Sequence, residues 1–228
     1  PTTGSILSSS STGTGQWRSV SMLYSAVYSY KEGKYSATAT VRRDGSTQFG
    51  QKRRWGNFPG ISGRWNIIDE PWMEWAKETP KISMLSVRAG WGMTGRQPGR
   101  EYLHYTTYSP NGSYLGINTI TQNGLRLTDL MWETKNEYNI GGDLHFFESE
   151  ALTFSFNYYN SLTTDQLMGG YAIPSSTGYY SLAYKNSGSV RNRGWELNVD
   201  WRHTFRDAGD LTVHANFNLA DYKAGITQ

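Results

Sequence analysis

Trp195, Leu197, Val199 and Trp201 alternate with Glu196, Asn198, Asp200 and Arg202. After a short turn, Leu211, Val213, Ala215, Phe217 and Leu219 alternate with Thr212, His214, Asn216 and Asn218. A strand has a side-chain period of two, so this pair predicts a hairpin with one apolar and one polar face. The rhythm recurs upstream and predicts about eight strands in all. Val20, Met22, Tyr24, Ala26, Tyr28 and Tyr30 oppose Ser19, Ser21, Ser25 and Ser29 in residues 17–30. Tyr35, Ala37, Ala39 and Val41 oppose Ser36, Thr38, Thr40 and Arg42 in 35–43. Ile61, Trp65 and Ile67 alternate with Ser62, Arg64 and Asn66 in 58–68, and Leu85, Val87, Ala89 and Trp91 with Ser86, Arg88 and Gly90 in 82–93. Residues 132–147 set Tyr138, Ile140, Leu144 and Phe146 against Glu137, Asn139, Asp143 and His145. Residues 152–162 set Phe154, Phe156 and Tyr158 against Ser155, Asn157 and Tyr159.

The connections have their own rhythm. Glu32-Gly33 and Glu148-Ser149-Glu150 mark tight turns, while 44–56, 94–129 and 163–188 are polar, Gly/Tyr/Asn-rich loops. Residues 69–77 read as a short helix, with Asp69 as its cap and Pro71 in its first turn. Consecutive antiparallel strands make a meander. Short turns at one end and long loops at the other are the habit of outer-membrane barrels, whose long loops face outside. On that rule the first strand descends and the last ascends, so both ends of this stretch lie outside. A complete barrel is expected to keep both ends on the periplasmic side. The Ser/Thr/Gly-rich start and the Ile226-Thr227-Gln228 finish, without a terminal aromatic, add to the expectation of an internal segment of a larger barrel.

Composition changes this picture little. Mean hydropathy is −0.62, but alternation hides a membrane barrel from any hydropathy test. No run approaches the roughly 20 apolar residues of a membrane helix. Cys is absent, which removes disulfides and zinc–thiolate sites. The net charge of +3 is spread along the chain and implies no particular partner. No signal sequence opens the stretch.

Local motifs carry little chemistry. Gly90, Gly92 and Gly95 match G-x-G-x-x-G, yet Arg96-Gln97-Pro98-Gly99 follow where a nucleotide-binding helix would start. His104, His145, His203 and His214 lack metal-ligand spacing. No catalytic triad is legible, and no cofactor is implied. Lys52-Arg53-Arg54 is a solvated basic loop rather than a nucleic-acid site, because no stacking platform accompanies it. Asn111-Gly112-Ser113 reads as a turn.

Longer strings are more specific. Val41-Arg42-Arg43-Asp44-Gly45-Ser46, Phe49-Gly50, Arg54-Trp55-Gly56 and Phe58-Pro59 come first. Ile68-Asp69-Glu70-Pro71 and the run from Leu85 through Gln97 follow. Then come Trp132-Glu133-Thr134, Asn139-Ile140-Gly141, Tyr158-Tyr159-Asn160 and Asn192-Arg193-Gly194-Trp195-Glu196. In this order they resemble the barrel of SusC/RagA-type TonB-dependent transporters across nearly the whole chain. The resemblance implies a partial barrel domain over residues 1–228, within an outer-membrane barrel of about 22 strands. It implies a Bacteroidetes-type bacterium and import of glycans or oligopeptides, driven by TonB, under a SusD-type lipoprotein lid. It implies a transporter and not an enzyme. Nothing in the stretch resembles the family's plug or TonB box, so gating and energy coupling are expected outside it.

Two residue sets are candidates for contact. Tyr102, Tyr105, Tyr108 and Tyr114 in one long loop, and Tyr171, Tyr179, Tyr180 and Tyr184 in another, offer aromatic faces with polar tips to substrate or lid. Arg42, Arg64, Arg88, Glu137, Asp143, Glu196 and Arg202 share the polar face and are expected to line a lumen, some meeting a plug and most solvating the interior. Tyr28, Tyr30, Trp65, Trp91 and Trp201 suit lipid headgroups on the other face. The alternative is a soluble or surface-attached adhesin-like β-sandwich, whose apolar faces pack on one another and whose aromatic loops bind glycans.

Overall fold

A computed structural model describes residues 14–78, 81–147, 151–205 and 211–227. Eight strands form one antiparallel sheet: β1 (Ser19–Tyr30), β2 (Tyr35–Ser46), β3 (Trp55–Asn66), β4 (Ile82–Arg96), β7 (Glu133–Phe146), β8 (Leu152–Thr164), β11 (Ser189–Phe205) and β12 (Leu211–Thr227), in that order. The other four make two hairpins, β5 (Tyr108–Tyr114) with β6 (Ile117–Gln122), and β9 (Leu167–Ala172) with β10 (Ser181–Asn186). The eight expected strands are therefore present as a meander. Among the described residues β1 pairs only with β2 and β12 only with β11, so the sheet is open.

Several details differ from the pattern. The two longest connections are not plain loops, because each carries a hairpin. Asn111-Gly112 lies in a β5 irregularity, where the register shifts between Pro110 and Ser113, and the turn itself is Leu115-Gly116. The helical connection is broken into 3-10 turns Ile67–Asp69 and Pro71–Met73 and α1 (Glu74–Glu78). Pro71 occupies the first turn as expected, but Glu70, not Asp69, precedes it, and no side chain caps that turn. Asp69 ends the earlier turn and faces Lys77 at 3.8 Å instead. The predicted turns at 148–150 and after β11 lie outside the described residues.

Register settles which residues share a face. Arg64 stands opposite Arg88, Arg88 opposite Gly141, Gly141 opposite Asn157, and Asn157 opposite Glu196. One residue along, Ala89, Ile140, Tyr158 and Trp195 form the next transverse row. Successive rows point to opposite faces, so polar and apolar rows separate cleanly.

The apolar face is bare. Ile61, Tyr138, Ile140 and Phe217 are each more than half exposed, and no second sheet covers them among the described residues. This corrects the sandwich alternative, which needs two apolar faces in contact. Core packing sits at the two ends of the sheet. At the end with short turns, Ile68, Met73 and Ala76 pack on Ile67, Ile82 and Leu85. At the end with long connections, Phe49, Phe58 and Leu130 are buried. At about 25 cal/mol per Å², so much bare apolar surface is costly in water and favourable in hydrocarbon.

Candidate functional site

The end with long connections is built on an aromatic core. Phe49 is fully buried, with Trp132 4.7 Å away between ring centroids and Phe58 edge-on to the same indole at 5.5 Å. The Trp132 Nε1–H donates to the Arg54 carbonyl at 3.3 Å. Gly95 makes room, since a Cβ there would come within 2.0 Å of the Phe58 ring. The third glycine of the nucleotide-like motif thus serves packing in a strand. This core holds the β2–β3 connection with its 3-10 turn Gln51–Arg53.

Against that connection the segment after β4 forms a cleft of ≈ 320 Å³, with Trp17, Gln48, Arg54, Tyr102, His104 and Tyr105 among its walls. Tyr105 lies 4.1 Å from the His104 ring and 6.4 Å from Tyr102. The Tyr102 hydroxyl accepts the Gln16 backbone N–H at 3.0 Å. Gln48 Oε1, Arg54 Nε and His104 Nδ1 are buried and make no hydrogen bond among the described residues. Burial, then the nearby Arg54 charge, holds His104 below its usual pKa of 6.5, which favours the neutral ring. Aromatic faces beside orphaned donors and acceptors suit a ligand with flat faces and polar edges.

The expected tyrosines divide. Tyr102 and Tyr105 enter the cleft. Tyr108 and Tyr114 stand exposed at the two ends of β5. Tyr171 lies under Lys185, whose Nζ is 4.0 Å from its ring centre. Tyr179 and Tyr180 follow the 3-10 turn Ser175–Thr177, and Tyr180 is almost fully exposed. Tyr184 comes close to Gly99 of the other long connection. Asn186 ties the two connections, exchanging hydrogen bonds of 2.8 and 2.9 Å with the Met131 backbone. Gln48, Arg54, His104 and Trp17 were not expected in a site. Arg54 belongs to the basic run read as solvated, but its Nε is turned inward.

The seven charged candidates all lie on the polar face, and three of them, Arg64, Arg88 and Asp143, share one network. Arg88 pairs with Asp143, reaching past Gly141, where a Cβ would stand 3.1 Å from Arg88 Nε. Asp143 also accepts from Ser155 at 2.7 Å and from Ser86 at 3.4 Å, and Arg64 donates to Ser86 at 3.2 Å. Arg42 pairs with Asp44 at 2.7 Å, and Glu137 with Lys135 at 2.5 Å, each two residues along its own strand. Glu196 shares a groove with Asn157, Asn198 and Asn218. Arg202 stands opposite His214, and His214 meets Asp200 at 2.9 Å. The centre of the polar face is thus hydrogen-bonded across β3, β4, β7 and β8. His145 shares this face opposite Thr153, whereas His203 stacks on Trp201.

Comparison with known proteins agrees with this architecture. Residues 3–227 match the family described as TonB dependent receptor-like, beta-barrel. A TonB-dependent receptor of Formosa agariphila is 36% identical over 87% of this chain, which spans 19% of that protein. The TonB-dependent receptor SusC of Bacteroides thetaiotaomicron is 29% identical over 82% of the chain, spanning 18% of SusC. The solved RagAB peptide transporter superposes with a TM-score of 0.81 at 23% identity, over 93% of this chain and 22% of that one. The chain spans about a fifth of the length of the relatives it matches. The eight-stranded sheet with its bare apolar face is therefore wall of an outer-membrane barrel, and the chain belongs to the TonB-dependent receptor β-barrel family as a SusC/RagA-type segment.

Proposed function

We propose that the whole protein actively imports glycans or oligopeptides across the outer membrane, with energy from the TonB complex and a SusD-type lipoprotein as lid. On this reading it is a transporter and catalyses no covalent chemistry. The observation that carries the reading is the two-faced sheet: a bare apolar surface suited to lipid, backed by a hydrogen-bonded polar wall suited to a lumen. The relatives' names add TonB dependence, and RagAB is called a peptide transporter.

In this scheme the long connections face outside and the cleft of Tyr102 and Tyr105 contacts the incoming substrate. Plug and TonB box lie elsewhere in the whole protein. The test is growth of the source bacterium on oligosaccharides or oligopeptides as sole carbon source, with the gene intact, deleted or carrying Tyr105→Ala. Deletion removes growth on one of the two classes, and so does loss of TonB. Loss of one aromatic contact worth about 0.5–1.5 kcal/mol weakens substrate capture by about two- to tenfold. Unchanged growth on every substrate after deletion contradicts the import reading. Unchanged capture by Tyr105→Ala removes only the cleft from it.

A further inference from the structure

The connection between β3 and β4 does more than turn the chain. Its packed residues, Ile68, Met73 and Ala76, rest on Ile67, Ile82 and Leu85. Leu85 stands opposite Leu144 and Ile82 opposite Phe146, and both belong to the apolar face. The bulge between Ile82 and Met84 brings Ile82 to that side. The segment therefore lies against the lipid side of the wall, at the end with short turns.

At about 120° per residue in the 3-10 turn and about 100° in α1, residues 72–78 present three sectors. Met73 and Ala76 face the sheet. Trp72 and Trp75 share a second sector and are 58% and 62% exposed. Glu74, Lys77 and Glu78 occupy the third. A helix between only two surroundings needs two sectors. Three sectors fit a helix touching protein, lipid and water at once. Exposed tryptophan is the side chain that favours the headgroup layer.

The patch is continuous with the lipid-facing surface. Glu70, which joins the two 3-10 turns of the segment, accepts hydrogen bonds from the Tyr35 hydroxyl at 2.5 Å and from Trp65 Nε1 at 3.1 Å. Tyr35 and Trp65 stack at 6.3 Å on the apolar face, and Tyr30 lies beside Tyr35. The segment is thus tied to the aromatic girdle. The cleft behind it mixes Lys77 and Lys81 with Asp69 and Glu78. That balance of signs selects no anionic lipid, so the apolar contact is the recognising one.

We propose that residues 67–78 form an in-plane membrane anchor, with Trp72 and Trp75 seated among the phospholipid headgroups of the periplasmic leaflet. The proposal rests on the outer-membrane placement of the sheet, and its test separates the two. The full-length protein is reconstituted in phosphatidylcholine vesicles containing phosphatidylcholine brominated on the acyl chain near the glycerol. Tryptophan emission is compared among wild type, the double variant Trp72→Phe with Trp75→Phe, and Trp65→Phe. The heat-dependent gel shift of a folded barrel checks each variant. The emission lost in the double variant is expected to be blue-shifted, quenched by the brominated lipid and less quenched by aqueous iodide than in the protein unfolded in urea. Emission that iodide quenches and brominated lipid does not overturns the anchor. If the Trp65 emission still behaves as lipid-exposed, only the anchor falls. If it too is quenched by iodide alone, the placement of the sheet falls with it.

Discussion

Asn139 and Ile140 are neighbours on β7, yet they face different surroundings. Asn139 looks into a groove shared with Thr38, Ser62 and Glu137. Ile140 stands half exposed in an apolar row with Ala89, Tyr158 and Trp195. The polar face stabilises itself through contacts across strands, such as Arg88 with Asp143 and Asp143 with Ser155. The apolar face has few partners of its own and depends on what surrounds it. One face is finished by the chain, and the other is finished by the bilayer.

The largest effect comes from placing charge on the unfinished face. Ile140→Arg in the full-length protein should cost about 2–4 kcal/mol near the bilayer middle. Asn139→Arg, one residue away, should stay within about 1 kcal/mol, because a polar lumen solvates the new charge. Urea unfolding in lipid vesicles reads both values, and equal costs would erase the distinction between the faces.

A smaller effect tests the self-bonded wall. Asp143→Asn weakens contacts to Arg88, Ser86 and Ser155 together. Hydrogen bonds to a charged group are worth more than neutral ones, but Arg88 stays partly in water, so about 1 kcal/mol is expected. A double-mutant cycle with Ser155→Ala should show coupling. Strict additivity would mean these side chains act separately.

The smallest effect is a pH dependence at the rim of the apolar face. Hydrogen bonds from Tyr35 first, then from Trp65, with Lys34 nearby, hold Glu70 below its ordinary pKa of 4.5. A depressed carboxylate contributes stability that is present above its unfolded pKa and lost as pH falls through the folded one. The stability difference between wild type and Glu70→Gln should be constant near neutrality and shrink below about pH 4.5. A difference that persists unchanged in acid would remove Glu70 from the role of holding Tyr35 and Trp65 as a carboxylate.

The faces were legible in the sequence because alternation is local: each residue's parity alone assigns Arg88 to one side and Ala89 to the other. The tight turn was legible too, and Lys31, Glu32 and Gly33 all take positive φ there. The packed end was not. Phe58 shares the parity of Ser62 and Arg64, a break in the alternation that signals a site capped by something other than solvent. Its partner Trp132 lies far along the chain, so the pairing exists only after β3, β4 and β7 come together. For the same reason Gln48, Arg54 and His104 were invisible as a group. Tyr102 and Tyr105 could be picked by composition, but so could Tyr108 and Tyr114, and only the β5–β6 hairpin separates them. The hairpins themselves were hidden because β5 and β9 are short, glycine-containing and without clean alternation.

The most direct test is a scan of β7. This stretch has no cysteine, so single substitutions to Cys from Tyr138 to His145 are introduced into the full-length protein with any cysteine outside the stretch replaced by Ser, and reconstituted in lipid vesicles. Each is then labelled with a water-soluble thiol reagent and, separately, with a lipid-dissolved one. A period of two is predicted at the positions not packed by neighbours: Asn139 and His145 labelled from water, and Tyr138, Ile140 and Leu144 labelled from lipid. Uniform labelling from water along the strand would contradict the assignment of the apolar face to the membrane.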